Sequence, residues 1–311
     1  MYEMIRMLAI LSVLCGVAEA QQPGSANPMR VFDVHLHAQS TPESAARMAE
    51  AMKEVRVEGA VLIGTEADLE KYGSWFDRSI PGLMLPCEDG RAANTGARCF
   101  AGGASVPDLK KLREAIGEGK VRVLAEVTAQ YAGIPPDSPI LEPYYALAAE
   151  LDIPVGIHLG LGPPAVAYAG PGFPARKSPR YRASAGDVRS LESVLTRYPK
   201  LRLYVMHAAW PFLDDMLYML YMHPQLYVDV SVLQYAIPRP EYYRYLETLV
   251  EAGFARRIMF GSDGGAKQLL AGVAAIREAP FLSDEQRADI LFNNAAKFFR
   301  LPDATSDGAK R

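Results

Sequence analysis

The chain has 311 residues, 50% of them hydrophobic and 22% charged, enough to bury a large core as one α/β barrel or two average domains. Its formal net charge of -3 supplies no basic field, which argues against a nucleic-acid backbone or an anionic membrane surface as the principal partner.

The first segment reads as a secretory signal. An apolar stretch from Met7 to Val17 follows Arg6 and gives way to Ala18-Glu19-Ala20 and the polar Gln21-Gln22-Pro23, so residues 1–20 are expected to be removed after Ala20. The run is too short to span a bilayer, and the expectation is a periplasmic or secreted protein with no stable membrane insertion after cleavage. An uncleaved anchor is the alternative, since Glu3 weakens the basic start. Residues 21–29 are expected to be a flexible lead-in, 30–301 one catalytic unit, and 302–311 a flexible tail.

From Val31 onward, short apolar runs alternate with longer helical patterns, as in repeated βα units on a parallel sheet. The expected strands are Val31–His37, Gly59–Gly64, Gly82–Leu85, Val121–Val127, Pro154–His158, Leu201–His207, Leu226–Val230 and Arg257–Phe260. Helical patterns lie between them, among them Pro42–Val55, Asp108–Gly117, Ile140–Leu151, Asp187–Tyr198, Pro240–Ala252 and Asp284–Phe299. Several open on Ser, Thr, Asp or Pro, which serve the orphan amides of a first turn or pre-set its φ. The fold class this predicts is α/β, a (β/α)8 TIM barrel, with functional groups at the carboxyl ends of the strands.

The chemistry-bearing residues fall at those ends. His35 and His37 stand two apart on the first strand and so share a face. Asp33 beside them is expected to tie down a neighbouring loop or helix. Cys87 and Cys99 flank a polar, glycine-containing segment; after export they would form a disulfide worth roughly 2 to 4 kcal/mol, or else remain two independent thiols. Glu126 ends the fourth strand, His158 the fifth, His207 the sixth, and Asp263 follows the eighth. A carboxylate abutting an apolar strand is costly unless something cationic meets it. His223, in Tyr221-Met-His-Pro224, lies before the seventh strand at the opposite rim and reads as a surface residue.

This ordered set resembles the metal-dependent amidohydrolase superfamily, in the amidohydrolase 2 branch related to aminocarboxymuconate-semialdehyde decarboxylase. The resemblance runs over about residues 30 to 301 and also takes in Asn293-Asn-Ala-Ala-Lys-Phe-Phe299. It implies a barrel holding one or two divalent metals at the strand ends. Position by position, it implies His35, His37, His158 and Asp263 as a one-metal ligand set, with Glu126 and His207 matching the bridging carboxylate and second-metal imidazole of two-metal relatives. Many relatives carry a carboxylated lysine where this chain has Glu126.

The residue types agree with that implication. Imidazoles with carboxylates suit zinc first, or manganese or iron, whereas calcium would want an all-oxygen shell. Such an ion acidifies water and polarises a carbonyl or phosphoryl oxygen. Asp263 is then the group placed to move the nucleophile's proton. His207 either hydrogen-bonds the attacking water or developing oxyanion, or ligates a second ion.

Substrate contacts are thinner. Arg176, Lys177, Arg180 and Arg182 follow the fifth strand with Tyr168 and Tyr181, either binding an anionic substrate group or forming a solvated face. Tyr131 and Trp210 lie on loops facing the expected cavity, to stack on a substrate or to pack the core.

The expected function is metal-dependent hydrolysis of a small molecule's amide, ester, lactone or phosphoester bond. The alternatives are a metal-dependent decarboxylase of an aromatic or enoic acid and a non-catalytic metal-binding barrel. Nucleic acid is not expected as a partner, and the oligomeric state stays open, a homo-oligomer included.

Overall fold

A computed structural model describes residues 29–39, 41–72, 78–85, 108–168 and 178–301. Eight parallel strands follow one another round a sheet in chain order. They are β1 (Val31–His37), β2 (Val57–Gly64), β3 (Ser79–Leu83), β4 (Val123–Val127), β5 (Val155–His158), β6 (Leu203–Met206), β7 (Leu226–Asp229) and β8 (Ile258–Met259). The amide of Val34 donates to Phe260 O at 3.0 Å and that of Asp263 to His35 O at 2.8 Å, which brings the chain after β8 back onto β1 and closes the barrel. The expected (β/α)8 architecture is the one observed.

Helices fill the connections: α1 (Pro42–Glu54), α2 (Glu66–Tyr72), α3 (Leu109–Gly117), α4 (Glu142–Glu150), α5 (Leu191–Arg197), α6 (Leu213–Met222), α7 (Leu233–Ala236), α8 (Arg239–Leu249), α9 (Ala266–Glu278), α10 (Asp284–Ala288) and α11 (Asn294–Phe299). Their starts follow from capping chemistry. Thr41 and Ser44 form a capping box, Asp108 accepts from the amides of Lys110 and Lys111, and Ser283 with Gln286 forms a second box. The helix expected over Asp284–Phe299 is interrupted by a π-helical turn, Asp289–Asn293, which presents the Ile290 carbonyl to the Phe260 amide.

Two apolar layers hold the barrel. The helices pack on its outside through residues such as Met48, Leu62, Leu124, Leu195, Leu246 and Ile276. Phe32, Val34, Ile63, Tyr204, Met206, Met259 and Phe298 plug its lower interior, so the barrel is a filled core and not a pore. The upper end is left to polar groups. Strand β8 is only two residues long because Phe260 has already left the ladder, and β1 carries a register irregularity between Asp33 and Leu36. Asp33 accepts from the backbone amides of His35 and Ser262, which ties the segment after β8 to β1. Among the described residues no helix is long and apolar enough to cross a membrane.

His223 departs from expectation: it is buried, not a surface residue. Its carbonyl accepts from Arg257, and that contact draws the turn ahead of β7 under the barrel rim.

Candidate metal centre

The carboxyl ends of the strands bring His35, His37, Glu126, His158, His207 and Asp263 into one cluster. The geometry divides around Glu126. Its Oε2 lies 3.5 Å from His37 Nε2 and 3.8 Å from His35 Nε2, while its Oε1 lies 2.6 Å from His158 Nδ1 and 3.8 Å from His207 Nε2. Asp263 faces the same space, Oδ1 at 3.1 Å from His37 Nε2 and Oδ2 at 3.8 Å from His207 Nε2.

Local backbone aims these groups. His207, Ala208 and Ala209 all adopt positive φ, as do Val232 and Asp263, so the chain leaves β6, β7 and β8 through left-handed turns beside the cluster. Such conformations cost of order 1–3 kcal/mol each and persist where surrounding contacts over-determine them. One such contact is the buried Tyr245 hydroxyl, which donates to Ala208 O at 2.7 Å. Another is Gly160, whose φ of +95 and close approach to Trp210 O leave no room for a Cβ.

Electrostatics and burial work against one another here. Burial would lower the basicity of His35, but the carboxylates of Asp263, Asp229 and Glu126 outweigh it and raise its pKa well above the ordinary value. His37, opposed by burial but bonded to Asp263 and Glu126, is raised to about 9. His207 is raised for the same reasons, whereas for His158 burial wins and the pKa falls. Burial would raise Glu126, yet hydrogen bonds from His158, His207, His35 and His37 hold it well below the usual carboxylate range.

These residues fit a divalent cation. The Nε2 atoms of His35 and His37 face each other at 3.3 Å, and three overlapping sets of ligand atoms each lie within 4.8 Å: His35, His37, Glu126; His35, His207, Asp263; and Glu126, His158, His207. Lone pairs of imidazole and carboxylate thus converge on shared space, as hard-to-borderline metal sites require.

The cluster forms the floor of a cavity of about 610 Å³. Tyr131 lines it, its ring centroid 4.8 Å from that of His158. The walls are largely apolar, from Leu161, Pro163, Pro164, Val166, Val232 and Ala236, with Tyr235 at the mouth donating its hydroxyl to Asp263 O. Trp210 does not face the cavity, contrary to expectation. The left-handed turn before it directs the indole to α8, where Nε1 donates to Glu241 Oε1 at 3.1 Å. Arg180 is exposed and is not among the described residues lining the cavity. Arg176, Cys87 and Cys99 lie outside the described residues, as does the leader segment.

Sequence reasoning passed over Asp229. It ends the apolar run of β7 and is fully buried, its Oδ2 3.1 Å from His35 Nδ1 and its Oδ1 accepting from the His207 amide. The signal was present, because a carboxylate closing an apolar strand is the feature that singled out Glu126.

In sequence, the family model described as amidohydrolase matches residues 90–301, a span that takes in Glu126, His158, His207 and Asp263 but not the His35/His37 pair. No curated protein matches. Among solved structures, an uncharacterised TIM-barrel protein from Bordetella bronchiseptica is similar at a TM-score of 0.63 and 15% identity, over 88% of this chain and 99% of that one. A probable 2-pyrone-4,6-dicarboxylic acid hydrolase from Acinetobacter baumannii, solved with citric acid bound, gives 0.59 and 14% over 88% and 100%. The 5-carboxyvanillate decarboxylase from Sphingomonas paucimobilis gives 0.54 and 14% over 88% and 100%. At these identities the likeness is one of fold.

Proposed function

Because this chain belongs to the amidohydrolase family, we propose that it is a metal-dependent hydrolase cleaving an amide, ester, lactone or phosphoester bond of a small molecule. One observation carries the reading: the two oxygens of Glu126 address two different imidazole pairs, with Asp263 open to the cavity above both. His35, His37 and Asp263 would hold one cation, and His158 and His207 a second, with Glu126 shared. A bound divalent cation supplies Lewis acidity, polarising a carbonyl or phosphoryl oxygen and bringing a water toward neutral pKa. Zinc is the first choice for this donor set, ahead of manganese and iron.

The chain's own groups do the rest. Asp263, held ionised against burial by His35 and His37, accepts the nucleophile's proton and returns it to the leaving group. Tyr131 and the apolar walls seat the substrate's body and exclude water from the floor. The proposal extends to export, which rests on the stretch from Met7 to Ala20 alone; a mature protein beginning at Gln21 is the result that supports it.

The test is a panel of esters, lactones, amides and phosphoesters beside aromatic carboxylic acids, assayed in ¹⁸O-labelled water. Product carrying solvent oxygen supports hydrolysis. Release of CO2 without it replaces hydrolysis by decarboxylation, the reaction named for one of the structural neighbours.

A further inference from the structure

Behind the cluster lies a second layer of hydrogen bonds that the cation-site reading does not use. Asp229 and Ser231 are both wholly buried at the end of β7. Three donors converge on Asp229 Oδ1: the amides of His207 and Ser231, each at 3.0 Å, and the Ser231 hydroxyl at 2.5 Å. Oδ2 has a different neighbour, Nδ1 of His35 at 3.1 Å. Since the one hydroxyl proton of Ser231 goes to Asp229, its Oγ is left as an acceptor, 3.0 Å from His35 Nδ1 and 2.9 Å from His207 Nδ1.

Proton counting follows. An ionised carboxylate only accepts, so in its neutral, cation-ligating form His35 must carry its one proton on Nδ1, which leaves the Nε2 lone pair facing His37, Glu126 and Asp263. His207 likewise carries Nδ1–H toward the hydroxyl and carbonyl oxygens of Ser231 and turns Nε2 into the cluster. We propose that Asp229 is a positioning residue which fixes the tautomer of His35 through Oδ2 and the seat of His207 through the backbone amide held at Oδ1. The inference rests on the cation-site reading above. It assigns the control of two ligands on two different strands to one carboxylate on a third.

Asp229→Asn makes a sharp test. Three donors hold an acceptor at the Oδ1 position, so the amide oxygen must stay there and the NH2 group must take the Oδ2 position. That NH2 donates to His35 Nδ1, which forces the proton to Nε2 and blocks the ligand lone pair. Shape and the three bonds at Oδ1 are kept, so the fold survives. Orientation partners of ligating imidazoles typically contribute 10–100-fold in metal affinity.

The measurement is zinc titration of the full-length chain against a competing chelator, with ¹⁵N-histidine spectra of the metal-free chain read for tautomer at alkaline pH, where the rings are neutral; five histidines keep the spectrum assignable. Asp229→Asn should bind zinc about 10–100-fold more weakly and show His35 protonated at Nε2. Ser231→Ala, in which Asp229 still faces His35 and still accepts from the His207 amide while the backbone carbonyl of residue 231 still accepts from His207 Nδ1, should keep the His35 tautomer and bind zinc within about threefold of wild type. Wild-type zinc affinity in Asp229→Asn, or an equal loss in both variants, overturns the inference while leaving the cation site standing. A wild-type chain that takes up no zinc overturns the cation-site reading, and this inference with it.

Discussion

His158 presents Nδ1, not Nε2, to Glu126, at 2.6 Å, and the same nitrogen lies 3.1 Å from Nε2 of His207. The fifth and sixth strands thereby gather their two imidazoles on one oxygen of Glu126, and the His35/His37 pair gathers on the other. Wild-type protein should accordingly take up two equivalents of zinc. His207→Ala and Glu126→Ala should each retain fewer, with His207→Ala keeping one. Metal analysis of the purified proteins decides this, and one equivalent throughout rejects the two-cation arrangement.

Asp263 is the one carboxylate of the cluster with appreciable access to the cavity, its side chain 18% exposed against 6% for Glu126. A positioned acid–base group contributes about 10²–10⁴-fold. Asp263→Asn should lower kcat by that order on whichever substrate the panel identifies. Because Asp263 also faces both imidazole pairs, zinc content is measured alongside; loss of turnover with a full complement of metal assigns the proton-transfer role.

The metal-free protein should have a distinctive pH profile. Burial opposes the charge on His35, His37 and His207, but the carboxylates facing them prevail and raise all three. A histidine raised on folding adds stability fully below its unfolded pKa near 6.5 and loses it as pH climbs through the folded value, about 9 for His37. Glu126 and Asp263, lowered on folding against their own burial, act in the opposite sense, adding stability that disappears as pH falls below their unfolded values near 4. His158, lowered by burial, acts against the three raised imidazoles. Chelator-treated protein should therefore be more stable to urea at pH 6 than at pH 9.5. Zinc-loaded protein should reverse the order, because rising pH removes the protons that compete for the ligands. Equal midpoints for the metal-free protein at the two pH values would contradict the charge arrangement.

Much of this was legible before any coordinates, for a physical reason. Strand ends of a barrel are read directly from apolar runs, and polar residues that interrupt such runs need partners, so His35, His37, Glu126, His158, His207 and Asp263 announced themselves. Loop residues did not. Trp210 follows a turn whose left-handed φ values at His207, Ala208 and Ala209 have no glycine to mark them, so nothing in the sequence showed that the indole would turn to Glu241. Arg180 stood in a basic cluster for which the sequence left both a substrate contact and a solvated face open, and the exposure of Arg180 itself is what the structure adds. Asp229 closes an apolar strand as Glu126 does, but it meets the cluster from behind, through His35 Nδ1 and the His207 amide, and nothing in the sequence separates a ligand from the group that orients it.

The turn after β5 offers the last check on how the site is built. Gly160 has φ of +95, and a Cβ there would lie 2.5 Å from the backbone oxygen of Trp210 and 2.7 Å from the carbonyl carbon of Ala209. Its own carbonyl accepts from Gln130 Nε2 at 3.0 Å and from the Tyr181 hydroxyl at 2.5 Å, which fixes the segment next to His158. Gly160→Ala combines left-handed strain with a clash against backbone that cannot rotate aside, so the loss should exceed the roughly 1 kcal/mol of a simple glycine-to-alanine strain. A fall in the urea midpoint equivalent to about 2–4 kcal/mol is expected, together with weaker zinc binding, since the clash pushes directly on the His207–Trp210 turn. A stable Gly160→Ala protein with wild-type zinc affinity would show that the packing of these two loops does not set the position of His207.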